Sequence, residues 1–544
     1  MLDEAIRTGE APALERVART YPNSGAAVKA WLALASRERS AGRPGRAVRR
    51  LLEAEKRCGA AERRDVIAGL AACCFEMGDA GEGLRWLARG ASEFPEGAVV
   101  FAGRPTTFKE AYQAWLAYGR TVFRPLPGIW PPLKPSFERE FKGSWTLLTP
   151  PACGGRPISG RYDLALVQAG DALLGIDPAT GHDRWRAAWN AEQAPVWLAQ
   201  DDELVIVSTP RRVLGLDIDS GRERWRWEIS RQDVNEALID PEILDVVTAR
   251  AFSQTLMALA CRSGWVLAIQ IESGRCVWRR QVGGGVVGLM AVDDERVVCI
   301  RAPAGRPEGV VLDAATGAET RRFPIGLSGQ PADMSVMPDG SLAICGTKEV
   351  VAYEPATFSP RWRWSPPGGS ILGMQAGIGE LYLYGADLAA AVSLSDGKPR
   401  WQKEPIGDRS APLRRLWAAG GEVYVAGDRA VAAMAADSGE RQWVGELAGG
   451  ETIERADLVP RYVMAVVSRP AAGGLAGARQ IDVVFWPRSA VRGGGTPAPT
   501  RYRLVDAVTM QKIVVRDRAV LVQAGQKLVG WACEGPATAT AASR

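Results

Sequence analysis

The sequence predicts a mainly β protein with an α-helical N-terminal domain, in which helical hairpins are followed by a β-propeller. Three observations lead to this fold class. Apolar residues recur at three-to-four spacing up to about residue 100, which is typical of amphipathic helices. Five prolines between residues 125 and 135 exclude a helix or a central strand there. From about residue 140, short alternating apolar runs recur every 40 residues or so, separated by Gly and Asp turns, as in propeller blades.

The predicted helices are separated by strong helix breakers. Ala41-Gly42-Arg43-Pro44 ends one helix and supplies a proline for the first turn of the next. A pattern of a large residue, Leu, a small residue, Gly and Ala occurs twice and resembles the tetratricopeptide repeat. Its copies are Trp31, Leu34, Ala35, Gly42, Ala47, Leu51, Ala54 and Ile67, Leu70, Ala71, Gly78, Gly83, Leu87, Gly90, Pro95. Because such solenoids need about three units for stability, we expect this segment to dock on the propeller.

The domain boundaries follow from the changes in composition and apolar periodicity along the chain. We assign residues 1–124 to the tetratricopeptide-like helical domain and residues 125–139 to a proline-rich linker. Residues 140–535 form the predicted propeller, and residues 536–544 a disordered tail. Proline in the linker favours an extended, semi-rigid connection.

One turn-and-strand pattern recurs through the predicted propeller. An Asp side chain accepts hydrogen bonds from the turn backbone, a Gly adopts the positive φ of the turn, and a Trp offers a large ring to the neighbouring blade. Consecutive copies of the turn are 39 to 53 residues apart, with the Gly position at 181, 221, 274, 317, 358, 397 and 439. The longest interval, from 221 to 274, predicts an insertion near residues 228–242. The structural repeat positions are Asp177, Gly181, Trp185, Asp217, Gly221, Trp225, Gly274, Trp278, Trp362, Trp401 and Trp443.

This A-x-D-x-x-T-G-x-x-x-W pattern resembles the pyrroloquinoline quinone (PQQ)-like β-propeller repeat family. The resemblance covers roughly residues 140–535 and is strongest in the first three repeats. Later copies depart from it, because Arg321 stands at a Trp position, Phe358 at a Gly position and Ala435 at an Asp position.

The number of blades and the closure of the ring are also open to prediction. The family commonly has eight blades, whereas the sequence contains nine hairpins if every unit is independent; we expect eight, with seven or nine as alternatives. Residues 520–525 resemble residues 166–170, which predicts that the two ends of the propeller meet. The spacing of Trp145 from the next strand suggests that residues 143–148 complete the last blade.

The resemblance raises the question of a quinone-dependent dehydrogenase. Enzymes of that family hold the cofactor between a Trp floor and a disulfide of adjacent cysteines, with Glu, Asn and Asp around calcium. The only adjacent cysteines here, Cys73 and Cys74, lie in the helical segment, and the propeller has two asparagines, Asn190 and Asn235. We therefore predict no cofactor and no catalytic residue.

Metal sites are not predicted either. Asp217-Ile-Asp219 slightly resembles a calcium loop, and acidic triplets begin at Asp201 and Asp293, but none has the full ligand spacing. We expect these acidic stretches to be solvated turns that precede strands. The only histidine, His182, follows a turn glycine at a variable position, so we expect it to face solvent.

Composition restricts the partners and the compartment. The formal charge is only +5, and its excess lies before residue 140, which is weak support for phosphate-backbone binding. No apolar run reaches the ~18 residues of a membrane span, and the acidic opening does not resemble a targeting segment. Nine cysteines without C-x-x-C spacing indicate thiols in a reducing compartment. We predict a cytoplasmic protein that does not bind nucleic acid and does not insert into a membrane.

A basic cluster in the first helical hairpin is the candidate partner site. Arg43, Arg46, Arg49 and Arg50 suit an acidic partner, although a solvated helix face has the same pattern. We predict a non-catalytic protein-interaction scaffold. The alternatives are a quinone- or metal-dependent propeller enzyme, either an oxidoreductase or a hydrolase, and the propeller component of a bacterial complex with an AAA+ ATPase.

Overall fold

The computed structural model describes most of the chain. Several predicted features lie outside the described residues, namely the linker up to residue 130, the insertion after residue 228, Asn190, Asn235 and the tail. The described residues are 10–41, 43–77, 80–101, 104–118, 131–149, 164–189, 195–200, 203–209, 212–228, 243–251, 254–261, 264–283, 285–293, 295–337, 339–377, 379–386, 388–404, 406, 413–419, 421–459, 462–471, 479–488, 498–508, 510–516 and 519–533.

The first part of the chain is helical, as predicted. Ser24 caps the second helix by accepting a hydrogen bond from Ala27 N, and Pro44 occupies the first turn of the third. Successive helices contact one another and share one apolar core. The tetratricopeptide likeness of this array stays a prediction. The elements are α1 (Ala11–Thr20), α2 (Gly25–Ser40), α3 (Pro44–Glu55), α4 (Ala60–Met77), α5 (Ala80–Glu93), β1 (Ala98–Phe101), β2 (Arg104–Thr107) and α6 (Phe108–Tyr118).

None of the helices within the described residues is both long and apolar enough to cross a membrane.

Nine four-stranded antiparallel sheets follow within the described residues, so the predicted propeller fold is confirmed and its blade number is nine rather than eight. Blades 1 to 4 each contain four consecutive strands. They are β4 (Trp145–Leu147), β5 (Ala165–Ala169), β6 (Ala172–Ile176) and β7 (Asp183–Ala188); β8 (Val196–Gln200), β9 (Leu204–Thr209), β10 (Arg212–Asp217) and β11 (Glu223–Glu228); β12 (Ile243–Ala251), β13 (Gln254–Cys261), β14 (Trp265–Gln270) and β15 (Cys276–Gln281); and β16 (Val286–Ala291), β17 (Arg296–Arg301), β18 (Glu308–Asp313) and β19 (Glu319–Pro324).

Blades 5 to 8 repeat this order, and three further strands begin blade 9. They are β20 (Pro331–Val336), β21 (Leu342–Gly346), β22 (Val350–Tyr353) and β23 (Pro360–Trp364); β24 (Gly373–Ala376), β25 (Glu380–Tyr384), β26 (Ala389–Ser393) and β27 (Pro399–Lys403); β28 (Leu413–Ala419), β29 (Glu422–Gly427), β30 (Ala430–Ala435) and β31 (Arg441–Glu446); β32 (Thr452–Val459), β33 (Tyr462–Pro470), β34 (Arg479–Pro487) and β35 (Thr500–Val508); and β36 (Met510–Arg516), β37 (Ala519–Ala524) and β38 (Lys527–Cys533).

The last blade is completed by a strand from before the propeller repeats. Strand β3 (Leu133–Glu140) pairs antiparallel with β38, so the prediction that residues 143–148 complete this blade is wrong. Trp145–Leu147 is instead the first strand of blade 1. The end of the segment predicted as linker is therefore part of the propeller. Pro135 is tolerated because β3 is an edge strand, where a missing N–H leaves no second ladder incomplete.

Apolar residues fill the space between each pair of neighbouring blades. Nine clusters of buried residues join blade 1 to blade 2 and so on around the ring, and the ninth joins blade 9 back to blade 1. The first strands of blades 3 to 7 contact the first strands of their neighbours, which places the first strands around the central channel. The ring is therefore closed.

Candidate interaction surfaces

The repeated Asp turns are held by local hydrogen bonds. Asp217 Oδ1 accepts from Ser220 N at 2.9 Å and from Ser220 Oγ at 2.8 Å, and Arg224 Nε donates to Asp217 Oδ2 at 3.0 Å. Partial burial would by itself raise the pKa of Asp217, but these hydrogen bonds and the Arg224 charge outweigh it and lower the pKa to about 2. Asp177 makes the equivalent bonds to Thr180 N and Arg184. These carboxylates stabilise turns.

The repeated Trp residues connect each blade to the next. Trp225 Nε1 donates to Ile271 O of blade 3 at 2.7 Å, and its ring covers Gly274, whose φ is +68°. A Cβ on Gly274 would lie 2.4 Å from that ring, so glycine is required by space as well as by conformation. Equivalent bonds run from Trp185 to Ile218, Trp278 to Ala314, Trp362 to Leu394 and Trp401 to Ala436, and Trp443 is buried at its own position.

The two clearest departures from the repeat lie next to each other. Phe358, at a Gly position, has φ +50°, and its ring stacks on Phe323 with 5.1 Å between centroids. Phe323 lies two residues beyond Arg321, the residue at the Trp position of the preceding blade. The phenylalanine pair therefore fills the space that a Trp ring and a glycine share elsewhere.

The residues weighed as metal ligands do not come together. Within the described part of the chain, no group of three or more His, Cys, Asp or Glu side chains is arranged to hold a metal ion. His182 is exposed beside its turn.

The predicted basic cluster divides between two environments. Arg46 Nε lies 3.1 Å from Glu203 Oε1, in the turn between β8 and β9, and Arg49 lies 3.6 Å from the same carboxylate. Arg49 also lies 3.7 Å from Glu272, between β14 and β15. Arg85 of α5 donates to Val292 O, which follows β16, at 3.3 Å. The acidic partner of Arg46 and Arg49 is thus the propeller of the same chain.

The other two arginines of the cluster have helical partners. Arg50 Nη2 donates to Glu15 at 2.6 Å and lies over the Trp31 ring, and Arg43 lies 3.5 Å from Glu38. The sequence did not identify Glu203, Glu272 or Arg85 as contacts. The acidic triplet that ends in Glu203 was a sequence signal for this contact.

Strand direction assigns these contacts to one face of the propeller. Turns between the first and second strands, and between the third and fourth strands, lie on the same face of every blade. Glu203, Glu272 and Val292 all belong to such turns, in blades 2, 3 and 4. We call this the helix-bearing face. First strands begin on the opposite face.

Reversing the charge at this contact tests the docking. Arg49→Glu is expected to weaken the helix–propeller contact by about 1–2 kcal/mol, since its largely buried guanidinium faces two carboxylates. The loss should appear as a lower Tm and faster limited proteolysis between the helices and the propeller. Adding Glu203→Arg should restore much of it. Arg186→Glu, at an exposed pair on β7, is the matched control and should change little. Equal effects of Arg49→Glu and Arg186→Glu would contradict the contact.

A β-bulge recurs in the strands that begin at the channel mouth on the opposite face. The first strands of seven described blades carry a β-bulge near their start, with Val287, Ala332, Arg414 and Glu454 among the bulged residues. Bulges turn side chains away from the regular ladder and are frequent near binding sites. The sequence signal for this mouth is a pair of charged residues that opens an otherwise apolar strand, as at Arg414-Arg415 and Glu454-Arg455.

Two kinds of side chain surround the channel mouth. On blades 2, 4 and 6, Val196, Val287 and Leu372 are 58%, 49% and 46% exposed. On blades 7 to 9, the positions after the bulge are Arg415, Arg455 and Lys512. Among the described residues, the mouth therefore exposes aliphatic side chains at blades 2, 4 and 6 and carries basic residues at blades 7 to 9.

Comparison with known proteins agrees with this architecture. Residues 145–298, 245–322, 307–465 and 346–531 match the family described as outer membrane protein assembly factor BamB, whose repeats are of the PQQ-like type. Among curated proteins, none matches this sequence.

Solved structures with similar folds have low sequence identity to this chain. BamB from Moraxella catarrhalis is 14% identical, with a TM-score of 0.36, over 74% of this chain and 99% of that one. The C-terminal WD40 domain of Sif2 is 10% identical, with a TM-score of 0.43, over 75% and 99% of the two chains. The computationally designed Ika8 protein is 14% identical, with a TM-score of 0.42, over 63% and 97%.

Proposed function

Because the chain belongs to the family of PQQ-like β-propellers described as outer membrane protein assembly factor BamB, we propose that it is a non-catalytic scaffold that binds another protein at the channel mouth. The family description names an assembly factor, a role that depends on contacts between proteins. The observation that carries the proposal is that the two faces of the propeller differ in what they contact. One face holds the helices, and the other exposes aliphatic side chains around the channel mouth.

The helix-bearing face is already engaged within the chain. Arg46 and Arg49 were predicted to contact a partner protein, and both lie against propeller carboxylates. Arg49 retains only 16% of its side-chain exposure. A partner that needed these arginines would have to displace the helices, so we assign partner binding to the opposite face.

The exposed aliphatic residues suit a protein partner. Val196, Val287 and Leu372 come from three different blades, yet all lie where first strands begin, on the same face of the propeller. Exposed apolar groups around a channel opening are typical of protein-binding surfaces. Basic residues on the other side of the opening would orient a partner that carries acidic groups.

Capture of partners by variant chains tests this assignment. The double variant Val287→Glu, Leu372→Glu is expected to reduce capture of the main partner by about tenfold or more, because it introduces charge into an apolar contact. Arg43→Glu, on the exposed part of the helices, is the control and should retain capture. Quantitative mass spectrometry of affinity-purified chains measures both, with cross-links locating the contact. Loss in Arg43→Glu together with full capture by the double variant would place the partner on the helices.

The thiols support a proposed cytoplasmic location. Cys58 and Cys345 are free, and burial raises the pKa of the Cys345 thiol to about 12. Inert, reduced thiols are what a reducing compartment maintains. Fractionation of cells that express the chain with its native start would test the location.

A further inference from the structure

A cavity of about 250 Å³ opens at the basic side of the channel mouth. It lies between the first strands of blades 7, 8 and 9. Its charged lining consists of Arg414, Arg415, Glu454, Arg455 and Lys512, and aliphatic groups such as Ile453 and Ile513 form the rest of its wall.

The same β-bulge in three neighbouring blades brings three of these cations together. Each of Arg415, Arg455 and Lys512 directly follows the bulge of its first strand, so the three residues occupy the same register in three neighbouring blades. The corresponding residue of blade 5 is Asp333, which is largely buried and accepts a hydrogen bond from Met374 N at 3.1 Å. Of the residues that directly follow a bulge in a first strand, the basic ones therefore lie in blades 7 to 9.

Two of the lining charges are neutralised by partners of their own. Arg414 pairs with Asp428, which directly follows β29. Glu454 pairs with Arg479 of β34 at 2.7 Å. Neither residue contributes much net charge to the cavity.

The remaining cations are not fully compensated. Arg455 and Arg415 share the single carboxylate of Asp457, at 2.5 Å and 3.8 Å. Lys512 Nζ donates to the Thr146 hydroxyl at 3.1 Å, and within the described residues no carboxylate lies at ion-pair distance from it. Three cations against one carboxylate leave a surplus of two positive charges in a half-enclosed space.

We infer that this cavity binds a phosphate group. A phosphomonoester carries about −1.5 to −2 charge at neutral pH, which matches the surplus. Guanidinium groups bind phosphate oxygens through paired hydrogen bonds, and an ammonium group adds a point charge. At about 30 Å³ for each water, the cavity holds roughly eight waters, enough for a phosphate and a few attached atoms.

This inference goes beyond the proposed scaffold and does not require a partner protein. The phosphate belongs either to a small molecule or to a phosphorylated side chain. Both sources present the same phosphate oxygens to the same three cations. They differ in the groups attached to the phosphate.

Isothermal titration of the full chain with inorganic phosphate is the test. The wild-type chain should bind it saturably, and Lys512→Met and Arg415→Leu should each weaken binding by about tenfold or more, as expected for the loss of a charged hydrogen bond. Lys398→Met, at a lysine side chain that is 81% exposed, is the matched control and should bind like wild type. Thermal melts of every variant verify folding.

The outcomes separate the alternatives. Tighter binding of a phosphoserine peptide than of inorganic phosphate would support the inference with a phosphorylated protein as the source. Equal binding of the two would support it with a small phosphate as the source. Absence of saturable binding by the wild-type chain, unchanged binding in Lys512→Met and Arg415→Leu, or tighter binding of succinate than of phosphate would each overturn it. Partner capture is measured separately, so failure here leaves the scaffold proposal intact.

Discussion

Replacing Trp225 by alanine is expected to lower the free energy of unfolding by roughly 3–5 kcal/mol, the usual cost of deleting a buried large aromatic side chain. Trp225 is 7% exposed and lies between Gly215 of its own blade and Gly274 of the next. Its Nε1 donates to Ile271 O at 2.7 Å, so the substitution also leaves a buried carbonyl without its donor. Both flanking residues are glycines, so neither has a side chain that could fill the cavity.

Equilibrium unfolding by urea, followed by far-UV circular dichroism, measures this loss. His182→Ala is the control, because its exposed side chain follows the equivalent turn in blade 1 and its removal should cost almost nothing. Trp225→Phe should fall between the two. Similar stabilities for Trp225→Ala and His182→Ala would show that the ring does not connect the blades.

Removing β3 is expected to open the propeller. Without residues up to 140, β38 loses its partner along the whole register from Leu133↔Cys533 to Glu140↔Lys527. The ring of Phe137 is lost as well, and it lies against Gly530 of blade 9 and Gly181 of blade 1. We expect a cost of about 5 kcal/mol or more, comparable to the net stability of a whole domain. The exposed edge of β38 would also promote aggregation.

Two truncated chains test this closure. A chain that begins at residue 131 keeps β3 and should melt cooperatively, whereas a chain that begins at residue 141 should be much less stable or insoluble. Calorimetry and size-exclusion chromatography compare them. In the full-length chain, Phe137→Ala should give an intermediate loss. Equal melting of the two truncated chains would mean that the ring closes without β3, as expected for a propeller that begins at residue 140.

The turn-and-strand repeat could be predicted from the sequence because its causes are local. The Asp217 side chain bonds to Ser220, three residues away, and Gly221 has the positive φ of the same turn. A period close to 40 residues then implies a stack of equivalent sheets. The apolar alternation of the strands follows from the same local chemistry.

The departures from the repeat required the structure to interpret. From the sequence, Arg321 and Phe358 are two separate losses of pattern. The structure shows that Phe323 and Phe358 stack across the same boundary between blades, so a change in one blade is matched by a change in its neighbour. This compensation depends on a contact between blades, and contacts between blades are not encoded in the spacing along the chain.

Three features were decided only by the tertiary structure. The closing strand pairs Glu138 with Lys527, 389 residues away, and a run of prolines excludes a helix without revealing an edge strand. Glu203 and Arg46 lie in different parts of the chain until helix α3 meets the turn after β8. Arg415, Arg455 and Lys512 form one cavity because the ring places three bulged strands side by side. Patterns along the chain determine turns and strands, whereas closure, docking and the cavity depend on which distant surfaces fit together.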